Sequence, residues 1–380
     1  MNFESLGLVR FIVDAVKRAK YEAPFPIQEQ AIPVILKGND VLGIAPTGSG
    51  KTAAYALPIL QTLLKNEVAK TRQVRALIVV PTRELAIQVE EVFKSLSDFL
   101  PRNLKTMAVY GGVSINPQML RLFGTEILIA TPGRLLDLVS KNAVQLSVVE
   151  MLVLDEADQV LSLGFKDEVD QIFSLLPKKR QNILFSATTG DNVALLISKL
   201  LHNPTKVEVQ QETITPDLIN QTAYYTTSEK KGPLLRYLIK KEDWKQVLVF
   251  VSSKRTADNI TQKLKKNKID AMALHGDKSQ GARTDALTKF KAGKLRVLVA
   301  TDLAARGIDI KELPYVVNYE LPRSPTDYIH RIGRTGRATT EGKAVSIICK
   351  EEEQHFNLIQ KKMKKSVEII DTTDFDLLGV

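Results

Sequence analysis

Two short runs hold residue types and spacings that suit phosphate chemistry. In Ala45-Pro46-Thr47-Gly48-Ser49-Gly50-Lys51-Thr52, Gly48 and Gly50 let backbone amides approach phosphate oxygens where a side chain would collide. The Lys51 ammonium is placed to hold the outer phosphates, and the Thr52 hydroxyl to ligate a magnesium ion. The strict form of such a loop has Gly where Ala45 stands. Allowing either residue, ordinary composition produces the pattern by chance on the order of 0.03 times in such a chain. The second run, Asp155-Glu156-Ala157-Asp158, ends the apolar stretch Met151–Leu154. Asp155 would hold the metal through water, which leaves the adjacent Glu156 to orient and deprotonate an attacking water. Read alone, an acidic tetrad is more often a solvated helix start. The strand before it and the phosphate loop upstream reverse that preference.

Such residues need a scaffold, and the hydrophobic pattern supplies one. Short β-branched runs at Val41–Ala45, Ala76–Val80, Glu126–Ala130, Met151–Leu154 and Asn182–Phe185 alternate with helix-period stretches, which predicts a parallel sheet covered on both faces. Each run ends in a polar or Gly/Pro segment, and ligands of open parallel sheets bind beyond the carboxyl ends of strands. Leu85, Val89, Val92, Phe93 and Leu96 mark a covering helix. The segment Lys206–Gln221, with Pro216 and no helical period, reads as a linker. The alternation then restarts at Val247–Val251, Val297–Ala300, Tyr315–Tyr319 and Ala344–Cys349, without a second phosphate loop. Lys361–Val380 reads as the end of a helix and a frayed tail. The expected organisation is a first domain over 1–206, a linker over 207–220, a second domain over 221–363 and a tail over 364–380.

The 380 residues, 44% hydrophobic and 25% charged, exclude disorder, collagen and coiled coil and suit two domains. No apolar run approaches the ~18 residues of a membrane span, and the start of the chain lacks a signal-peptide pattern. The single cysteine, Cys349, excludes an internal disulfide and suits a reducing, cytoplasmic setting. Of the formal charge of +10, little resides in residues 1–210, with 23 basic and 21 acidic side chains; residues 211–380 carry 30 and 22. That excess suggests an anionic partner, nucleic acid ahead of membrane.

With the phosphate loop, Asp155-Glu156-Ala157-Asp158 spells the signature of the DEAD-box ATP-dependent RNA helicases, and the resemblance extends over roughly residues 1–350. Tyr21-Glu22-Ala23-Pro24-Phe25-Pro26-Ile27-Gln28 resembles the family's adenine-reading motif, with Tyr21 stacking on the base, Gln28 bonding its edge, and Phe3 as the upstream aromatic. Thr47, Gly48, Ser49 and Gly50 would complete the phosphate cradle. Pro81-Thr82-Arg83, Gly111-Gly112 and Thr131-Pro132-Gly133-Arg134 resemble first-domain RNA-backbone segments, and Ser186-Ala187-Thr188 the motif that couples the domains, a role in which the resemblance includes Asp158. In the second half, Ser253, Gln280 with Arg283, and Thr301 match RNA contacts, and Gly307 and Asp309 match nucleotide contacts. His330-Arg331-Ile332-Gly333-Arg334-Thr335-Gly336-Arg337 resembles the arginine-finger motif, in which Arg334 and Arg337 reach the γ-phosphate and His330 links the acidic motif to the coupling motif. The bacterial RhlE-type branch is the most similar.

The resemblance implies two tandem RecA-like α/β domains, ATP and Mg²⁺ as cofactors, and RNA held through its backbone without sequence preference. ATP-driven closure of the domains would separate a short duplex locally. It also implies a monomer, with ribosomal or RNA-decay proteins as partners. Two rival readings stay open: a translocating nucleic-acid motor of the same superfamily, and an ATP-dependent RNA clamp that binds without separating strands. Three departures bear on rates: Pro46 where many members have Gln, Lys20 where Gly usually precedes the aromatic, and Thr189-Gly190 where Met-Pro is common.

Overall fold

The computed structural model describes residues 2–46, 48–65, 72–209, 219–305, 313–335 and 342–377, apart from the Leu303 side chain. Thr47, Gly307, Asp309 and Arg337, all singled out above, lie outside those ranges. The chain divides into two compact units, Met1–Gln211 and Glu212–Val380.

The first unit is built on strands β1 (Val41–Ile44), β2 (Ala76–Val79), β3 (Thr106–Val109), β4 (Ile127–Ala130), β5 (Met151–Leu154), β6 (Gln181–Ser186) and β7 (Thr205–Glu208). All their pairings are parallel, in the order β3-β4-β2-β5-β6-β1-β7. Along β4, Ile127 and Ile129 enter one core cluster while Leu128 and Ala130 enter the other. A strand buried on both faces has no polar side, which is why these runs are apolar throughout. Helix Arg83–Ser97 covers one face through Leu85, Val89, Phe93 and Leu96, as their spacing predicts.

The second unit contains β8 (Ile219–Tyr225), β9 (Val247–Val251), β10 (Ala271–Leu274), β11 (Val297–Thr301), β12 (Tyr315–Asn318), β13 (Gly342–Ile348) and β14 (Glu368–Asp371). Again every pairing is parallel, in the order β10-β11-β9-β12-β13-β8-β14. Position for position this repeats the path of the first sheet. The two helix-covered parallel sheets expected from the sequence are both present.

Five strands were not foreseen, and their places explain why. Four of them, β3, β7, β10 and β14, are sheet edges, and the fifth, β8, lies beside an edge. In β7 only Val207 is buried, whereas the edges β3 and β10 are largely apolar and buried but only four residues long, without a β-branched run. The segment read as a linker is therefore shorter, because β7 and β8 occupy its two ends and residues 210–218 lie outside the description. The expected frayed tail is corrected too. Beyond helix Glu353–Met363 the chain forms β14 against β8, the Thr372 amide donates to the Tyr225 carbonyl at 3.1 Å, and Phe375 packs on Tyr237 with ring centres 5.3 Å apart. Leu377 joins the core. The acidic sequence of this stretch hid two anchoring side chains.

Candidate functional site

Because all strands of the first sheet are parallel, the loops after β1, β2, β3, β4, β5 and β6 open at one edge. Those loops hold the phosphate-loop residues, Pro81-Thr82-Arg83, Gly111-Gly112, Thr131–Arg134, Asp155–Asp158 and Ser186–Thr188 respectively. The fold thus gathers the first-unit motifs without any further device.

After β1 the chain turns into helix Lys51–Leu63, with Gly48 at φ 82° and Gly50 at φ 86°. A Cβ on Gly50 would lie 2.5 Å from Gln28 Nε2 and 2.8 Å from the Phe25 ring, so the left-handed turn and its neighbours both require glycine. Gln28 is fully buried. Its Oε1 accepts the Phe25 amide at 3.0 Å, as a residue three positions into a helix does for its cap, and its Nε2 donates to the Gly50 carbonyl at 2.9 Å. Gln28 therefore ties the start of helix Pro26–Leu36 to the phosphate loop, and one N–H and one lone pair are left for a base edge.

Tyr21 is set by the end of helix Arg10–Arg18. The Tyr21 amide donates to the Val16 carbonyl at 3.1 Å and the Lys20 amide to the Lys17 carbonyl at 3.0 Å, with Lys20 at φ 62°. These are the two bonds of a Schellman cap, whose left-handed position normally takes glycine. Phe3 is buried with its ring edge-on to Tyr21, centres 6.4 Å apart, so it supports that ring from behind. Phe25 lies over the loop half-exposed, an aromatic to which the sequence reading gave no role of its own.

The carboxylates form a wired group. Asp155 is 2% exposed; its Oδ2 accepts the Tyr55 hydroxyl at 2.9 Å and its Oδ1 the Glu156 amide at 2.9 Å. Burial holds the Asp155 carboxyl above its ordinary pKa, against the pull of the Lys51 ammonium, the Tyr55 hydroxyl and the Glu156 amide. Tyr55 is wholly buried and itself shifted well upward, by that burial first and then by the Asp155 charge. Tyr55 was missed; its only signal is its place one helical turn beyond Lys51 and Thr52. Lys51 is folded onto the Ala45 carbonyl at 3.1 Å. Among the described residues no cluster of three or more His, Cys, Asp or Glu side chains offers a self-sufficient metal cage. One hydroxyl and one buried carboxylate instead fit a hard cation that takes its other ligands from phosphates and water.

Glu156 sits in the left-handed region, at φ 52°, ψ 50°, where β5 breaks into helix Ala157–Ser162, and is itself buried. Farther on, Asp158 Oδ2 accepts the Thr188 hydroxyl at 3.3 Å, and the Ser186 hydroxyl donates to the Thr188 carbonyl at 2.7 Å. The acidic and coupling motifs are thus joined directly within the first unit, whereas the sequence reading linked them through His330.

The remaining first-unit residues lie along the same edge. Thr82 caps helix Arg83–Ser97 through the Leu85 amide at 3.3 Å, beside buried Pro81. Gly112, at φ 72°, lies under the Arg83 guanidinium, where a Cβ would fall within 1.8 Å of Nη2. Gly111 precedes it. Thr131 begins helix Pro132–Ser140, and Arg134 is folded inward with Nη2 on the Val113 carbonyl at 2.8 Å. Its Nε also lies 3.6 Å from the exposed Asp137 carboxylate, so Arg134 is a buried arginine with an ion pair and not an extended arm.

In the second unit, Ser253 caps helix Lys254–Lys266 by accepting the Thr256 amide at 3.0 Å, and Gln280 accepts from Arg283 at 3.1 Å in the first turn of helix Gln280–Lys291. Thr301 closes β11. His330 and Arg334, on and just beyond helix Pro325–Ile332, line a small hollow with Phe250, Asp302 and Asp327. What holds that helix is Arg331, the arginine of the motif that the sequence reading left without a role. It is 2% exposed, donates to both Asp302 oxygens at 2.6 Å, to Asn318 Oδ1 at 3.0 Å and to the Glu320 carbonyl at 2.7 Å, and lies 5.0 Å from the Phe250 ring centre.

Comparison with known proteins finds two family models on the chain. The DEAD/DEAH box helicase model matches residues 25–196 and the helicase conserved C-terminal domain model residues 229–339. The chain is 39% identical to the ATP-dependent RNA helicase CshA of Listeria monocytogenes over 99% of its own length and 71% of that protein's. It is 38% identical to the DEAD-box ATP-dependent RNA helicase RhpA of Helicobacter pylori, over 97% and 74%. Against ATP-dependent RNA helicase DeaD of Buchnera aphidicola the chain is also 38% identical and spans 62% of that protein's length. Among solved structures, S. cerevisiae Dbp5 bound to RNA and ADP BeF3 superposes with a TM-score of 0.85 at 31% identity, covering 99% of this chain and 97% of that one.

Proposed function

The chain belongs to the DEAD/DEAH box helicase family, and from that premise we propose that it is an ATP-dependent RNA helicase that couples hydrolysis to local, non-processive remodelling of RNA. The observation that carries the reading is the wired group at the strand ends of the first unit: Lys51 on the loop, Asp155 fixed by Tyr55, Glu156 buried at the break after β5, and Asp158 bound to Thr188.

In this reading Lys51 and the amides of Gly48, Ser49 and Gly50 bind the phosphates, while Tyr21 and Gln28 take the base. Thr52 and Asp155 would hold Mg²⁺, which supplies charge neutralisation at the phosphates when bound. Glu156 accepts the proton of the attacking water as its oxygen bonds to the γ-phosphorus and the bond to the leaving ADP oxygen breaks. Arg334 and Arg337 contribute positive charge to that transition state, and Gly307 and Asp309 further nucleotide contacts; arginine fingers are worth about 10³ to 10⁵ in rate where measured. Hydrolysis then depends on the two units closing, and His330 with Asp158, Ser186 and Thr188 couples closure to chemistry. Thr82, Arg83, Gly112, Thr131, Arg134, Ser253, Gln280, Arg283 and Thr301 contact RNA sugar and phosphate, so recognition is independent of sequence. We further place the protein in the cytoplasm as a monomer: no described helix is long and apolar enough to cross a membrane, the lone cysteine is a free thiol, and one copy carries both motif sets.

The test is ATP hydrolysis with single-stranded RNA, with matched DNA and with neither, using Glu156→Gln as control. Stimulation by RNA, lost roughly 10²- to 10⁴-fold in the variant, is the expected result. Equal stimulation by DNA overturns the RNA assignment.

A further inference from the structure

The charge surplus of the second unit has a location. Helix Lys254–Lys266 covers one face of its sheet through Ile260 and Leu264, and helix Gln280–Lys291 covers the other through Ala286 and Phe290. Each helix runs from the carboxyl edge of the strands back to the amino edge. Their last turns therefore lie at the same edge on opposite faces of the sheet, and the loops leading into β10 and β11 run side by side between them. β10 and β11 are hydrogen-bonded neighbours that start in register, Ala271 opposite Val297, with the Val297 amide donating to the Asp270 carbonyl at 3.0 Å.

That edge gathers Lys263, Lys265, Lys266 and Lys268 from one segment and Lys289, Lys291 and Lys294 from the other, all exposed. Lys289 pairs with Asp285 at 2.7 Å, and the neighbouring Lys245 and Arg296 share Asp243. The other six lysines have no carboxylate partner among the described residues, and Asp270 is the one exposed acid between the two groups. Lysines in a last turn also offset the helix dipole, roughly 0.3–1 kcal/mol each. That gives no reason for Lys268 and Lys294, which lie beyond the helix ends, or for leaving all six without an acid.

We propose that this lysine rim is an accessory RNA-phosphate site, which holds the stretch of RNA flanking the one at Ser253, Gln280 and Arg283; the proposal rests on the helicase reading above. The same two helices carry both ends of the track, the motif residues in their first turns and the lysines in their last. Between them, helix Lys254–Lys266 exposes Arg255 and Gln262, and its one acid, Asp258, is engaged by Lys278 at 2.7 Å and His275 at 3.1 Å. Thirteen helical residues span roughly 20 Å, about six steps of a duplex strand. An RNA longer than the motif site reaches the rim, and a short one does not.

The experiment compares the full chain with a combined Lys263→Gln, Lys265→Gln, Lys266→Gln and Lys268→Gln variant. Binding of a short single strand and of a duplex-tailed RNA is measured by fluorescence anisotropy across a salt series with a non-hydrolysable ATP analogue. The expected result is unchanged affinity and ATPase stimulation with the short strand, and roughly tenfold weaker binding of the tailed RNA. Its log–log salt dependence should be shallower by about 3 to 3.5, at roughly 0.7–0.9 per phosphate contact. The corresponding four Lys→Arg changes should restore the tailed-RNA affinity. Unchanged affinity and slope for the tailed RNA overturns the proposal, as does a loss that the arginines fail to restore. If the short strand fails to stimulate the unaltered protein, the helicase reading itself falls and takes the rim with it.

Discussion

At the scale of single residues, the consequential groups are held by partners that a motif does not name. Removing the Tyr55 hydroxyl leaves one oxygen of a buried carboxylate without its donor, so Tyr55→Phe should lower stability by about 1.5–3 kcal/mol in denaturant unfolding, more than a buried neutral bond would cost. Lys20 runs the other way. It occupies the left-handed position of a Schellman cap with a side chain, and Lys20→Gly should raise stability by roughly 0.5–1 kcal/mol. Cys349 is buried and hydrogen-bonded to Glu352 at 3.1 Å; burial, then those bonds, push its thiol up to about 11. Being protonated at pH 8, it should alkylate slowly until the protein unfolds, which a thiol-trapping time course reads directly. Because the folded pKa is the higher one, its stabilising contribution is complete below pH 9 and fades as pH rises toward 11. The motif residues themselves were legible, since phosphate chemistry dictates their types. Tyr55 and Arg331 were not, because a tyrosine or arginine that works through a buried partner looks in sequence like any other.

At the scale of elements, helix Pro325–Ile332 is fastened by Arg331 to β9, to β12 and to Asp302 just beyond β11 at once. Arg331→Ala strands Asp302 and should cost about 3–5 kcal/mol, lowering the unfolding midpoint of the second unit as well as activity. Lost activity in that variant would therefore not identify a phosphate contact. Central strands were legible because burial on both faces demands an apolar run. Edge strands and the end of the chain were not: β14 is carried by pairing to β8 and by Ile370, Phe375 and Leu377, apolar side chains spaced among acids and threonines. Ending the chain after Met363 should expose that core and destabilise the second unit, a change that thermal unfolding would report.

At the scale of the whole molecule, each unit owns its hydrophobic clusters, so residues 1–211 should fold alone and bind nucleotide, yet lose RNA-stimulated hydrolysis. If ATP and RNA both favour closure, linkage requires that a non-hydrolysable analogue tighten RNA binding by the same factor by which RNA tightens the analogue. Paired titrations measure the two factors independently. The composition foretold two domains, but not that their sheets follow one path, since strand order leaves no local mark in sequence.

The pairing of β8 with β14 joins the first and last strands of the second unit side by side and parallel. A force entering at the start of β8 and leaving at the end of β14 pulls the two strands along their length in opposite directions. Their hydrogen bonds then share the load together and do not open one after another like a zip. The unit is mechanically toughest along the line joining its own two ends, the line on which a partner gripping either end would haul.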